Sequence, residues 1–195
     1  MRIFESKITS QEIETMELAV YNGNVSIISS ENEDFNEAIK YLSLQKIIGF
    51  DTETKPCFIQ KTPRNKMAIL QLAGDERAFI FKLQHVGVPR QLAKLLSNPN
   101  IIKVGAAVHD DIKGLQEYCR FEPKGFVDLQ KISGDYGIEE KSVRKMAAII
   151  LNKKVSKSQQ LSNWETAQLS EAQIRYAAVD AWICKEMYEE LQRNK

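Results

Sequence analysis

Three short patterns in this chain bring together side chains able to share one piece of chemistry. Asp51 and Glu53 stand two apart at the end of an apolar run, Lys46-Ile-Ile-Gly-Phe-Asp-Thr-Glu53. If that run is a strand, both carboxylates leave the same face, at the C-terminal end where open α/β sheets place ligands. Tyr176 and Asp180 are four apart in the last apolar-striped segment, hence neighbours on one helical surface. Asp110 and Asp111 open a further helical pattern whose apolar face is Ile112, Leu115 and Cys119. Asp111 lies roughly 60° from the centre of that face and Asp110 nearly opposite, so Asp111 should border the sheet and Asp110 should cap the helix in water. Taken singly, each is an ordinary polar strand end, boundary residue or cap. Together, Asp51, Glu53, Asp111 and Asp180 would repel one another and resist desolvation. Hard divalent cations such as Mg²⁺ or Mn²⁺, which prefer oxygen ligands, relieve that cost.

The surrounding patterning supplies elements to position these groups. Residues 25–29, 46–53, 68–73, 78–81, 101–104 and 125–129 read as strands, with Gly74-Asp75-Glu76 as a hairpin-type turn. Residues 33–44, 92–96 and a segment running to about Cys119 read as helices, and everything beyond Glu139 looks helical. The last helix is the best marked: Ser170 with Gln173 forms a capping box, and Leu169 against Ile174 a hydrophobic staple. Its stripe of Ile174, Ala177, Ala181, Cys184, Tyr188 and Leu191 suits packing on a sheet, with Tyr176 and Asp180 at its border. A hairpin followed by alternating strands and helices implies a mixed α/β sheet with helices on its faces.

With 195 residues and neither repeat nor linker, a single domain spanning 1–195 is expected, residues 1–24 forming a peripheral segment. Three scattered cysteines without a CxxC pair speak against a disulfide framework or zinc site. The absence of an apolar leader and of a membrane-length apolar run adds the expectation of a cytoplasmic protein with no membrane partner. Net charge is only +1, so a surface for a polyanion must be local.

In order and spacing, Phe50-Asp51-Thr52-Glu53, the run Lys103 to Asp111, and Tyr176-Ala-Ala-Val-Asp180 resemble the motifs of the DEDD superfamily of 3′→5′ exonucleases. A tyrosine four residues before the last Asp is similar to the tyrosine branch, which includes the Werner syndrome helicase exonuclease domain and ribonuclease D. Ile69-Leu70-Gln71-Leu72, Phe126-Val127-Asp128-Leu129 and Leu161-Ser162-Asn163-Trp164 extend the likeness over roughly residues 46–192. Ala107 stands where proofreading polymerase domains have Asn, which points toward the Werner and ribonuclease D side. The resemblance implies a ribonuclease H-like fold with a mixed five-stranded sheet flanked by helices. It also implies two Mg²⁺ or Mn²⁺ ions held by Asp51, Glu53, Asp111 and Asp180, Tyr176 orienting the attacking water, and release of nucleoside monophosphates.

A nucleic acid partner needs cations and stacking faces. Residues 141–160 carry Lys141, Arg144, Lys145, Lys153, Lys154 and Lys157 with no Asp or Glu, and Lys55, Lys61, Arg64 and Lys66 follow the first motif. Such clusters are usually solvated faces, but beside a nuclease site Lys55, Arg64, Lys145, Lys153, Lys154 and Lys157 become candidate phosphate contacts. Phe58 and Trp164 are candidates for stacking on bases or for packing in the core. The Lys55-Pro56 continuation and the compact chain look more like the Werner-type domain, so DNA is expected ahead of RNA. Competing readings are a ribonuclease D-like RNA-trimming enzyme and an inactive binding module, the latter disfavoured because all four acids and Tyr176 are present.

Overall fold

The computed structural model describes residues 3–57 and 65–194. Its centre is a six-stranded sheet formed by β1 (Asn24–Ile28), β2 (Ile47–Thr54), β3 (Met67–Ala73), β4 (Arg77–Lys82), β5 (Ile102–Gly105) and β6 (Phe126–Asp128). The order is β1-β4-β3-β2-β5-β6. β4, β3 and β2 pair antiparallel, while β1 joins β4, β5 joins β2 and β6 joins β5, all in parallel. The expected count of five strands is therefore one short. All six strand-like runs join the same sheet, β1 adding to the free edge of β4.

Alternation along the strands divides the core. Ile48, Phe50, Leu70, Leu72, Phe79 and Phe81 face α2 (Glu33–Ser43), α4 (Arg90–Leu96) and α5 (Val108–Gln116). Helix α2 starts where the Asn32 side chain accepts from Phe35 N, and it buries Phe35, Ala38 and Leu42. The other sheet face carries α7 (Val143–Leu151) and α8 (Glu171–Arg193). Helix α8 opens with the expected Ser170/Gln173 capping box and buries Ala177, Ala178, Ala181, Cys184 and Leu191. It crosses β2 so closely that a Cβ on Gly49 would run into the Ala181 carbonyl, so only glycine permits this approach.

Shorter helices link these parts: α1 (Ser10–Glu14), α3 (Leu83–Val86) and α6 (Leu129–Ile132). The N-terminal segment ahead of β1 buries Phe4, Ile13 and Ala19, and Phe4 and Ala19 pack into the cluster under α7 and α8. The expectation of continuous helix beyond Glu139 fails between α7 and α8. Asn152 ends α7 in the left-handed region (φ 55°), a conformation that asparagine tolerates. Lys154 then bonds through its backbone to Glu17 and Ala19 rather than to a helical turn.

Candidate active site

Asp51 and Glu53 sit at the C-terminal end of β2 on the side facing α8, as their spacing requires. The tight β2–α8 crossing at Gly49 brings Asp180 beside them. One carboxylate oxygen each from Asp51, Glu53 and Asp180 lie within 4.8 Å of one another, a group able to hold a metal ion. Tyr176, one turn earlier on α8, brings its hydroxyl up to the Asp180 carboxylate, close enough for each to shift the other's titration. Its ring rests on Trp164, with centroids 5.9 Å apart.

Asp111 arrives from the opposite face. Its Oδ1 accepts from Thr52 Oγ1 at 2.7 Å, and Thr52 alternates with Asp51 and Glu53 on the strand, so it turns toward α5. Asp111 thus flanks the three-acid group while its charge still acts on Asp51 and Glu53. Asp110 is exposed, 3.8 Å from Lys113. It is not the helix cap. The cap is Ala107, held in the left-handed region at φ 58° without any side-chain capping bond, so the helix begins before Asp110.

All four acids are held above the ordinary carboxylate range. Burial first, then the charges of Asp180, Glu53 and Asp111, push Asp51 well up. Burial, reinforced by Asp180 and Asp111, takes Glu53 to about 8. Burial raises Asp180 to about 7 against the opposing Tyr176 hydrogen bond, and Asp111 to about 6 against the bond from Thr52. Burial and the neighbouring charge of Asp180 also raise Tyr176, so its hydroxyl keeps its proton and acts as a donor. Four raised acids, none in an ion pair among the described residues, mark a site suited to a counter-charge from outside.

Asp51, Glu53, Tyr176 and Asp180 line a cavity of about 320 Å³, together with Arg144, Ser156, Lys157 and Gln160 from the segment around α7. On the far side of Asp111 a cavity of about 540 Å³ is lined by Lys55, Cys57, Lys66, Met67, Lys113 and Glu117. Most of the expected phosphate contacts already have protein partners. Lys55 pairs with Glu165 at 3.0 Å, Lys145 with Glu140 at 2.8 Å, Lys153 with Glu17 at 2.6 Å and Lys154 with Glu14 at 3.1 Å. Arg144 also meets Glu14. Lys157 makes no ion pair among the described residues and borders the acidic cavity.

Trp164 cannot stack on a base, because its ring is 0% exposed and spent on packing beneath Tyr176. Phe58, Lys61 and Arg64 lie outside the described residues. The contribution of Thr52 is not legible in sequence, since nothing in the chain order pairs it with a residue 59 positions away.

A model of the 3′-5′ exonuclease family matches residues 26–194. The human exonuclease mut-7 homolog is 25% identical over an alignment of 208 residues, which covers 91% of this chain and 23% of that protein. The mouse bifunctional 3′-5′ exonuclease/ATP-dependent helicase WRN is 29% identical over 178 residues, covering 88% of this chain and 12% of its own length. The chain thus spans less than a quarter of either relative. The structure of Trypanosoma brucei RNase D in complex with RNA U12 shares the fold, with a TM-score of 0.78, 19% identity, and coverage of 90% of this chain and 64% of the other. A six-stranded mixed sheet, an acidic group at the end of its central strand and a match over residues 26–194 place the chain in the 3′-5′ exonuclease family.

Proposed function

We propose that the chain hydrolyses the terminal phosphodiester at the 3′ end of DNA, releases nucleoside monophosphates, and belongs to the tyrosine branch of the DEDD exonucleases. The observation that carries this reading is the convergence of Asp51, Glu53 and Asp180 within 4.8 Å, with Tyr176 on the wall of the same cavity. The donors suit hard divalent cations: all are carboxylate oxygens, and mutual repulsion leaves them in need of positive charge. Asp51, Glu53 and Asp180, flanked by Asp111, would hold two Mg²⁺ or Mn²⁺ ions. Bound there, such ions supply an acidified water and a counter-charge for the departing 3′ oxygen.

The chain's own residues do the rest. Tyr176, kept protonated, orients the attacking water by donation rather than abstracting its proton. Glu53, beside Asp180 and on the cavity wall, accepts from the same water. Thr52 fixes Asp111 by its hydroxyl. Lys157 is placed to meet a phosphate at the cavity rim.

DNA is put first because the Lys55-Pro56 continuation resembles the Werner-type domain. RNA is the second reading, favoured by the likeness to an RNase D that was solved with RNA. The experiment is digestion of DNA and RNA oligonucleotides of one sequence, labelled at the 5′ or the 3′ end, with Mg²⁺, Mn²⁺ or EDTA. A metal-dependent 5′-labelled ladder that shortens stepwise on DNA supports the proposal. A ladder on RNA alone shifts the substrate to the second reading, and no ladder on either overturns the activity.

A further inference from the structure

We infer that Asp128 is a positioning residue for Asp111, acting through the backbone of Ala107. The inference rests on Asp111 serving the site as proposed above. Asp128 ends β6 beside Gly105, the last residue of β5, and is 9% exposed. Its Oδ1 accepts two backbone N–H groups, from Ala107 at 3.0 Å and from Gln130 at 3.0 Å. The second bond caps α6. The first has no such routine purpose: it reaches across to the turn between β5 and α5 and grips the residue that starts α5.

That residue is under strain. Ala107 lies at φ 58°, ψ 32°, a conformation unfavourable for a side chain with a Cβ, and its own side chain offers no cap. The turn has little slack on its other side, because a Cβ on Gly105 would meet the Phe50 carbonyl and Val108 at 2.7 Å. Asp111 lies in the first turn of the helix that Ala107 begins. A carboxylate on β6 thus fixes the residue from which α5 starts, and with it the first turn that carries Asp111. A shift of that turn carries Asp111 away from Thr52 and from the site. Residues that orient ligands in this indirect way commonly change metal affinity by about 10- to 100-fold.

The test uses the full chain without nucleic acid and reads Mn²⁺ binding by titration calorimetry, with metal-free thermal melts as a check on folding. Asp128→Ala should weaken Mn²⁺ binding by about tenfold. Asp128→Asn keeps an Oδ1 acceptor for both N–H groups and should stay within about twofold of wild type. Adding Ala107→Gly to Asp128→Ala should recover about fivefold, because glycine holds the left-handed conformation unaided. Asp128→Ala binding like wild type overturns the inference. So does Asp128→Asn failing as badly as the alanine variant, which would assign the effect to charge, or a double variant with no recovery, which would leave Asp128 only its α6 cap. A wild type that takes up no Mn²⁺ sinks the proposed function and this inference with it, whereas a binding wild type with an indifferent Asp128→Ala sinks the inference alone.

Discussion

The end of β2 and the segment from α7 to α8 carry opposite charge and treat it in opposite ways. Around β2, Asp51, Glu53 and Asp180 crowd within 4.8 Å and make no ion pair among the described residues. Along residues 141–160, Arg144, Lys145, Lys153 and Lys154 each sit against a glutamate, three of them against Glu14 or Glu17 of the N-terminal segment. The basic stretch spends its charge within the protein, and a charge already matched there has less left for a ligand. A charge left uncompensated in a half-buried place is held there at a cost to stability, which marks it as a place where something binds.

The sharpest way to break this comparison is to remove one of the crowded acids. Asp51→Asn should lower exonuclease activity by roughly 10³-fold or more, since it strips a charge from the metal-binding group. The same change should raise the metal-free melting temperature, because a buried, repelled carboxylate disappears. Added Mn²⁺ should then stabilise the wild type far more than the variant. Equal stabilisation of both would take the metal away from Asp51.

Tyr176→Phe tests the donor assigned to the water, and should lower turnover by about 10²-fold with little change in Mn²⁺ binding. Undiminished turnover would leave the ring only its packing on Trp164. The neighbours Asp110 and Asp111 test whether place or chemistry decides. Asp111→Asn should remove most activity, whereas Asp110→Asn, altering an exposed side chain 3.8 Å from Lys113, should keep it within about twofold. The reverse pattern would place the wrong acid at the site.

How far these residues can be read from sequence depends on whether local geometry fixes them. Period-2 alternation is enough to put Asp51 and Glu53 on one face, and i,i+4 spacing to put Tyr176 beside Asp180. The α8 capping box is legible because a cap is a local hydrogen-bond pattern. Asp110 reads wrongly as a cap because the helix starts from a left-handed alanine, a conformation no local pattern announces. Trp164 reads as a candidate for stacking on a base because burial depends on long-range packing, here against Tyr176 and the sheet residues Ile69 and Ile80. The pairing of Lys153 and Lys154 with Glu17 and Glu14 spans 136 and 140 positions, far beyond what spacing conveys. The same remoteness explains why six strand-like runs do not by themselves announce a six-stranded sheet: edge pairing of β1 with β4 is a tertiary fact.

Proton uptake offers a gentler probe of the same crowding. Glu53 at about 8, Asp180 at about 7 and Asp111 at about 6 are all raised in the folded chain above unfolded values near 4. Raised groups contribute stability that is complete below the unfolded value and lost as pH climbs through the folded one. In EDTA, the melting temperature should therefore fall as pH rises from about 4 to about 8. Saturating Mn²⁺ should flatten that slope, because the metal takes the place of the protons. A metal-free protein whose stability is level across this window would mean the acids are better solvated than their burial implies.

The smallest effect expected is also the one that bears on the basic side of the comparison. Lys157 borders the acidic cavity and makes no ion pair among the described residues, so Lys157→Ala should make the log–log salt dependence of single-strand binding shallower by roughly 0.7. Lys153→Ala and Lys154→Ala should do less, since Glu17 and Glu14 already satisfy those ammonium groups at 2.6 and 3.1 Å. Releasing the two lysines is more informative than deleting them. If their partners silence them, Glu14→Gln with Glu17→Gln, which also frees Arg144, should tighten single-strand binding at low salt and steepen the slope by up to roughly 2.1, three contacts at roughly 0.7 each. Activity at saturating substrate should stay unchanged, because neither glutamate lines the cavity of Asp51, Glu53 and Asp180. A slope that does not respond to the glutamates, but falls when Lys153 and Lys154 are removed, would show that exposed pairs at 27–40% side-chain exposure on the lysine side open freely to phosphate. In that case pairing within the protein says nothing about availability, and the contrast between the two regions reduces to burial alone.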